Sequence, residues 1–592
     1  MRLHLTGPKW LAGAWLAWQS ACAAVCGASL AVSLEPQFNG LPLAPDSMTH
    51  VTAARQTISV TRLDFLLSDL ALRRADGVWL GQTNWFAFAS LSEGKTNFML
   101  EGIPAGDYNR LRFRVGLAPA INHAEIASWP AGHPLNPDVN HLYWSWSREY
   151  VFLALEGNWQ DGAGPGGFSF HLATDEHLMT VELPVVLNLR ASEQLPITLD
   201  VAQIFSGPAV IELTDAQQTT HSRTNDTLAG DLCRNLEAAF AAGPARAFAP
   251  ADPPTQAGAQ LDTAPEATPY RFSFPRSLPR PNLPRDNPLT GEGVALGGKL
   301  FFEPRLSINN TESCAGCHRP RGAFSDDRRF SRGAEGQLGT RHAMPLLNLA
   351  WKNSYFWDGR AATLREQALQ PIQNPLEMHE SLSDAVQKLA ADSNYPRLFR
   401  NAFGSPHITP ERIARALEQF LLVQTSFDSK YDRVLSGKAA FTAEEQRGFQ
   451  LFNTEYDPYH GQFGADCFHC HGGPLFQSQY FANNGLDSEF ADLGRFEATR
   501  REGDKGKFAV PSLRNAAIRA PYMHDGRFQT LEEAVEHYCT GLKRSPTLDP
   551  NLAKHPGGGV PLNAADKKAL VAFLRTLTDE RFLSNEVADG QR

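Results

Sequence analysis

Between residues 29 and 248 the chain alternates apolar and polar side chains with period two. In the stretch Asn109–Val115, Leu111, Phe113 and Val115 face one way while Arg110, Arg112 and Arg114 face the other. Met179, Val181 and Leu183 repeat the rhythm, and so do Ile197, Leu199 and Val201. Such strands are half-buried and antiparallel, and their number predicts an all-β sandwich. From 249 to 285 the rhythm stops and proline recurs at 250, 253, 254, 265, 269, 275, 279, 281 and 284. That composition predicts an extended, semi-stiff linker. From 286 to 592 the apolar spacing turns helical. Ile413, Leu417, Phe420 and Leu421 share one face, as do Leu570, Phe573, Leu574 and Leu577. Thr363 with Glu366, and Thr530 with Glu533, form capping boxes that predict helices starting at 364 and 531. The expected architecture is a β-sandwich (29–248), a Pro-rich linker (249–285) and a mainly α region (286–592).

The first 28 residues add a compartment. Arg2 and Lys9 precede an apolar stretch from Trp10 to Trp18, and small residues follow through Ala28. This is the pattern of a secretory signal, which makes the protein exported and, given the haem chemistry below, periplasmic. Residues 10–33 are also long enough to span a bilayer, so a membrane anchor exists only if the segment stays uncleaved. A net charge of −9 argues against nucleic acid as a partner.

Of the eight cysteines, four sit in two CxxCH pentapeptides, CAGCH at 314–318 and CFHCH at 467–471. Each offers two thiols for thioether bonds to a porphyrin and an imidazole for its iron. The pairs are Cys314 and Cys317 with His318, and Cys467 and Cys470 with His471. Structural zinc or a redox CxxC pair would not need a His directly after each pair. Two covalently bound haem c groups are therefore expected. Cys233 and Cys539 are left over, as a disulfide or as two free thiols.

Around these motifs, FWDGRAATLREQALQPIQNPLEMHE (356–380) and FAVPSLRNAAIRAPYMHDGRFQTLEEAVEHY (508–538) resemble the bacterial dihaem cytochrome c peroxidase and MauG superfamily over roughly 276–592. The resemblance implies that the first haem binds hydrogen peroxide, with Glu377 as the acid that moves the peroxide proton and Gln367 and Pro371 lining the pocket. It implies that Trp357 relays electrons between the haems. Where relatives that need reductive activation carry a movable His, sixteen residues after the first haem His, this chain has Ala334, so the first iron is expected to be open. Ordinary peroxidases of the superfamily place a Met fourteen residues after the His of their P-Y-[FM]-H-D-G motif, and MauG-type enzymes a Tyr. Here His524 is followed at that distance by Tyr538. A thioether raises the iron's potential and a phenolate lowers it. Tyr538 as ligand implies that oxidising equivalents are aimed at a protein side chain; the alternative is Met523 as ligand. Calcium is disfavoured because His342 replaces the Asn the family uses, although carbonyls near Arg519 and Pro521 could contribute.

Residues 50–225 resemble the MbnP family of exported copper-binding proteins. The matching stretches are TRLDFLLSDLAL, IPAGDYNRLRFRVGLAP, INHAEI, HLYWSWSREYVFLALEG, FSFHLA and THSR. In that family a tryptophan is oxidised to kynurenine by a MauG-type partner and helps histidines hold copper. The resemblance implies that both partners are fused here. His123 and His171 are the expected copper ligands, Trp144 or Trp146 the modified residue, with Trp129 in a loop nearby. His171 stands off the core face of its strand, since Phe168, Phe170 and Leu172 face the other way. Two imidazoles with a softer third ligand suit copper. Electrons would hop from Trp144 or Trp146 through surface aromatics to Trp357. Three functions follow as expectations. The first is peroxide-dependent oxidation of the chain's own N-terminal domain, the second hydrogen peroxide reduction fed by a small c-type cytochrome, and the third copper binding with electron transfer alone.

Overall fold

In the strand Met179–Leu189 every second residue is buried, so the alternation seen in the sequence becomes a core face and a solvent face. This computed structural model describes residues 28–82, 84–161, 164–248, 262–555 and 557–583. The expected signal peptide and part of the Pro-rich stretch lie outside the described residues.

Two sheets make the N-terminal sandwich. The larger runs in the order 179–189, 106–115, 62–74, 149–161, 164–173 and 219–220; the smaller runs 240–242, 193–200, 28–38 and 41–42. Phe65, Phe113, Phe168, Phe170, Leu195 and Leu199 fill the core between them. One expectation needs correction. The strands Ala28–Phe38 and Glu193–Asp200 pair in parallel, with Leu34 opposite Ile197. Period two fixes which face is buried but not strand direction, and these partners are far apart in sequence.

Two neighbouring strands, Glu149–Asp161 and Gly164–Ala173, are buried on both faces. One face enters the sandwich core. The other, carrying Glu156, Ser169 and His171, is covered by the C-terminal half. At Gly167 the approach is backbone to backbone, because an added Cβ would stand 2.0 Å from the Pro550 carbonyl oxygen. Thr219 Oγ1 donates to Glu455 (3.1 Å), Gln218 Nε2 to the Lys554 carbonyl (3.2 Å) and Asn551 Nδ2 to Glu156 (3.2 Å).

The C-terminal half has two helical lobes, each with its own apolar cluster and one CxxCH motif. In the first, Gly291–Phe301 packs on Pro410–Leu422, with Phe301 and Phe420 rings 5.2 Å apart. In the second, Ala443–Phe452 packs on Ala564–Arg575, with Phe452 and Phe573 5.3 Å apart. The helices Leu364–Gln373 and Leu531–Thr540 begin in complete capping boxes at Thr363 and Thr530. Over residues 262–285 the Pro-rich stretch is a strap rather than a free tether. Leu278 is buried, Phe272 and Phe274 pack 5.8 and 5.9 Å from Trp351, and Arg280 Nε donates to the Ala127 carbonyl of the sandwich (2.8 Å). Its few apolar residues are what dock it. Cys233 and Cys539 are free thiols. Among the described residues no helix is long and apolar enough to cross a membrane.

Gly167→Val forces a branched side chain against the Pro550 carbonyl. It is expected to lower the thermal midpoint and split one calorimetric transition into two as the domains separate. Thr530→Ala removes a cap worth about 1 kcal/mol, measured as a shift in the urea midpoint of the second lobe.

Candidate haem and metal centres

Each CxxCH motif forms one helical turn, Cys314–Cys317 and Cys467–His471, whose three-residue spacing sets its two thiols on one side. His318 Nδ1 lies 3.0 Å from the Phe324 carbonyl; His471 Nδ1 lies 3.3 and 3.1 Å from the carbonyls of Phe476 and Pro511. Those bonds fix the tautomer and leave Nε2 of each ring free for iron. A cavity of about 870 Å³ opens above Cys314, Cys317 and His318, within the range of cofactor pockets. Thiols, oriented imidazoles and cavity all fit haem c.

The far wall of that cavity comes from the helix Leu364–Gln373 and the turn after it. Gln367 and Pro371, four residues apart, share the face that lines the cavity with Glu377. Asn374 Nδ2 donates to the Glu377 carboxylate at 2.7 Å, and burial raises the acid's pKa above 4.5. The Ala334 N–H donates to the Glu377 carbonyl (2.7 Å), so the loop carrying Ala334 is pinned beside the acid. Trp357 is buried in the same cavity, with its indole N–H on the His342 carbonyl (2.8 Å). Its own carbonyl accepts from Ala509 N (2.8 Å), two residues before the Pro511 that holds His471. Trp357 therefore links the two lobes. His342, where the resemblance puts a calcium-binding Asn, is buried with its ring nitrogens on the Ser325 hydroxyl and Arg328 carbonyl (both 3.2 Å).

On the second lobe, Asn484 Nδ2 touches both Tyr538 Oη (3.5 Å) and Met523 Sδ (3.4 Å). The two candidate iron ligands thus converge on one amide. Burial raises the pKa of Tyr538, the nearby Cys470 and Cys467 thiols push it the same way, and the Asn484 contact opposes them.

The expected copper residues separate. His123 is half-exposed and pairs with Asp175 (3.1 Å) and Glu149 (3.9 Å), away from His171. It caps the helical turn Pro119–Asn122, where Asn122 is buried and the His123 ring faces solvent. His171 instead meets His221 and His469, one nitrogen from each lying within 4.8 Å of the others. His221 lies in the THSR stretch, on the segment just after a short edge strand. His469 is a middle residue of CFHCH, a position haem attachment leaves free. Neither carries a spacing signal; only docking of the domains brings them together. His171 is indeed off the sandwich core face, but that face is sealed by the second lobe rather than exposed. Burial holds His221 and His469 well below the ordinary 6.5.

Around this cluster the aromatics line up. Trp144 is 5.7 Å from His221 and 6.3 Å from His171, and stacks on Trp146 at 5.3 Å. Trp146 meets Phe468 edge-on at 4.7 Å, inside the second haem motif. Trp129 lies elsewhere, stacked on His133. The contact from the tryptophans thus leads directly to the second haem motif, not across the surface to Trp357.

The di-haem cytochrome c peroxidase model matches residues 291–440 and the MbnP model matches residues 27–224. The methylamine utilization protein MauG of Methylorubrum extorquens is 38% identical over 314 residues, covering 52% of this chain and 84% of that protein. The cytochrome c551 peroxidase of Nitrosomonas europaea is 34% identical over 303 residues, covering 50% and 82%. A MauG-like protein associated with microbial copper homeostasis, known from its crystal structure, is 35% identical and covers 54% of this chain and 98% of its own, with a TM-score of 0.48. With two oriented CxxCH sites in a helical half and a β-sandwich before it, the chain belongs to the dihaem cytochrome c peroxidase and MauG family of oxidoreductases and carries an MbnP domain on its N-terminal side.

Proposed function

We propose that this protein is a peroxide-dependent, periplasmic dihaem enzyme that oxidises Trp144 of its own N-terminal domain to kynurenine and so completes a copper site with His171 and His221. The observation that carries the reading is the unbroken contact from His221 through Trp144 and Trp146 to Phe468. When bound, the haems supply the oxidising equivalents of hydrogen peroxide. Glu377 takes and returns the peroxide proton, and its raised pKa makes it a stronger base than an exposed carboxylate. Gln367 and Pro371 shape the pocket, and Trp357 carries electrons between the lobes. With haem bound, Tyr538 would ligate the second iron and lower its potential, which would direct oxidation toward an indole. Trp144 gives up electrons through Trp146, with Phe468 filling the gap to the haem-binding turn. Two peroxides deliver the oxygen atoms that open the indole C2–C3 bond, and hydrolysis releases C2 as formate. Because target and oxidant share one chain and are already docked, the reaction needs no encounter step.

A second reading, reduction of hydrogen peroxide with electrons from a small c-type cytochrome, draws on the Met523 sulfur beside Asn484. The two differ in the iron ligand. Tyr538→Phe is expected to abolish the phenolate signature of the second haem by magnetic circular dichroism. Met523→Leu is expected to leave it unchanged; a sulfur-ligand signature that Met523→Leu removes and Tyr538→Phe keeps favours the second reading.

Peptide mass spectrometry after peroxide treatment is expected to find Trp144 changed by the gain of one oxygen and loss of one carbon. Glu377→Gln should slow that change by about 10²-fold or more, as for loss of a general acid–base group. A Trp144 that stays unmodified under every peroxide condition sinks the proposal.

A further inference from the structure

Haem attachment asks nothing of the two middle residues of CFHCH, yet His469 is fully buried and points its ring into a contact with another domain. Its Nε2 lies 2.9 Å from Glu455 Oε2. Among the described residues, its Nδ1 has no hydrogen-bond partner. An unpaired imidazole nitrogen in a dry interior is costly unless something fills it.

The two neighbouring rings have their outer nitrogens held in the same way. His171 Nε2 lies 2.8 Å from Glu156 Oε1, and His221 Nδ1 lies 3.1 Å from Glu455 Oε2. Ionised carboxylates only accept, so each of these outer nitrogens carries the proton. The remaining nitrogens, His171 Nδ1, His221 Nε2 and His469 Nδ1, then present lone pairs, and one nitrogen from each ring lies within 4.8 Å of the others. The first two are only 3.0 Å apart. Two acceptors at that distance repel unless a cation lies between them. Imidazoles oriented by carboxylates are the usual outer support of a metal ligand.

The surrounding charge asks for the same thing. Asp64, Glu156, Glu455 and Asp466 are all buried, against the two buried or nearly buried cations Arg62 and Lys554. The neighbouring group of Glu455, Asp466 and His469 already holds the Lys554 ammonium, so a metal has no place there. At the three-imidazole group the same ammonium reaches only the His469 Nε2 side, at 3.4 Å. A cavity of about 80 Å³ beside it, lined by Trp144, His171, Phe468 and His469, gives room for an ion to enter.

We propose that His171, His221 and His469 form one copper site shared by both domains, with the second haem-binding pentapeptide supplying the third imidazole. Imidazole nitrogens are ready ligands for copper. The proposal deepens the function above, in which the sandwich alone would hold the metal, and rests on its copper reading. It makes the ion a staple between the domains, two residues along the backbone from His471.

The test uses the full-length, haem-loaded protein, stripped of other metals and titrated with Cu(I) against a competing chelator. One copper per chain with three imidazoles in its X-ray absorption spectrum is expected. His469→Gln, with two haems retained, should drop the imidazole count to two and weaken binding about tenfold or more. His123→Gln should change neither. Two imidazoles in the unaltered protein, an unchanged affinity in His469→Gln, or uptake of Zn(II) but not Cu(I) would overturn the proposal. Peptide mass spectrometry on the same samples separates it from the proposed function. Three-imidazole copper beside an unmodified Trp144 keeps the site and removes the oxidation; kynurenine at 144 with copper indifferent to His469 does the reverse and overturns the site.

Discussion

One buried carboxylate holds this molecule together. Glu455 takes donors from both domains: His221 and Thr219 from the sandwich, His469 and Lys554 from the second lobe. Burial alone would push its pKa up, but His221 and Lys554 beside it hold it down to about 2. A charge taken out of water is tolerable only when every lone pair is matched, and here the match exists only in one docked geometry. The two halves therefore cannot slide without stranding a charge. That restriction, rather than apolar area, fixes the interface.

Everything functional in the N-terminal domain inherits its position from that restriction. The strands 149–161 and 164–173 are dry on both faces because the second lobe lies on one of them. Gly167 lets the backbones close to van der Waals distance. With the strands held there, Trp144 and Trp146 are pressed against Phe468. The cavity wall of the first lobe is built separately, by a capped helix that places Gln367 and Pro371 on one face and hands the chain to Glu377. Trp357, tied to both lobes, is the link between the two constructions.

The parts legible in the sequence are those set by local pattern. The capping boxes at Thr363 and Thr530 announced their helices, the period-two alternation announced the sandwich, and CxxCH spacing announced both haem sites. Strand direction between 28–38 and 193–200 was not legible, since a face pattern carries no polarity. The face of His171 could be read, but its burial could not: an off-core face looks like a solvent face until another domain covers it. His123 looked equally suitable and proved to be a surface residue paired with Asp175. His221 and His469 gave no signal because their meaning lies in a tertiary contact between segments hundreds of residues apart.

The polar make-up of the covered face has a consequence for synthesis. The sandwich leaves the ribosome first, and its docking face must wait in water until the second lobe is made. Because that face surrounds the Trp144 and Trp146 rings with Arg62, Asp64, Glu156, Ser169 and His171, most of it stays hydrated during the delay. An oily interface of equal area would have invited self-association of the nascent chain. Ionic pairing here lets the first-made half remain harmless until its partner arrives.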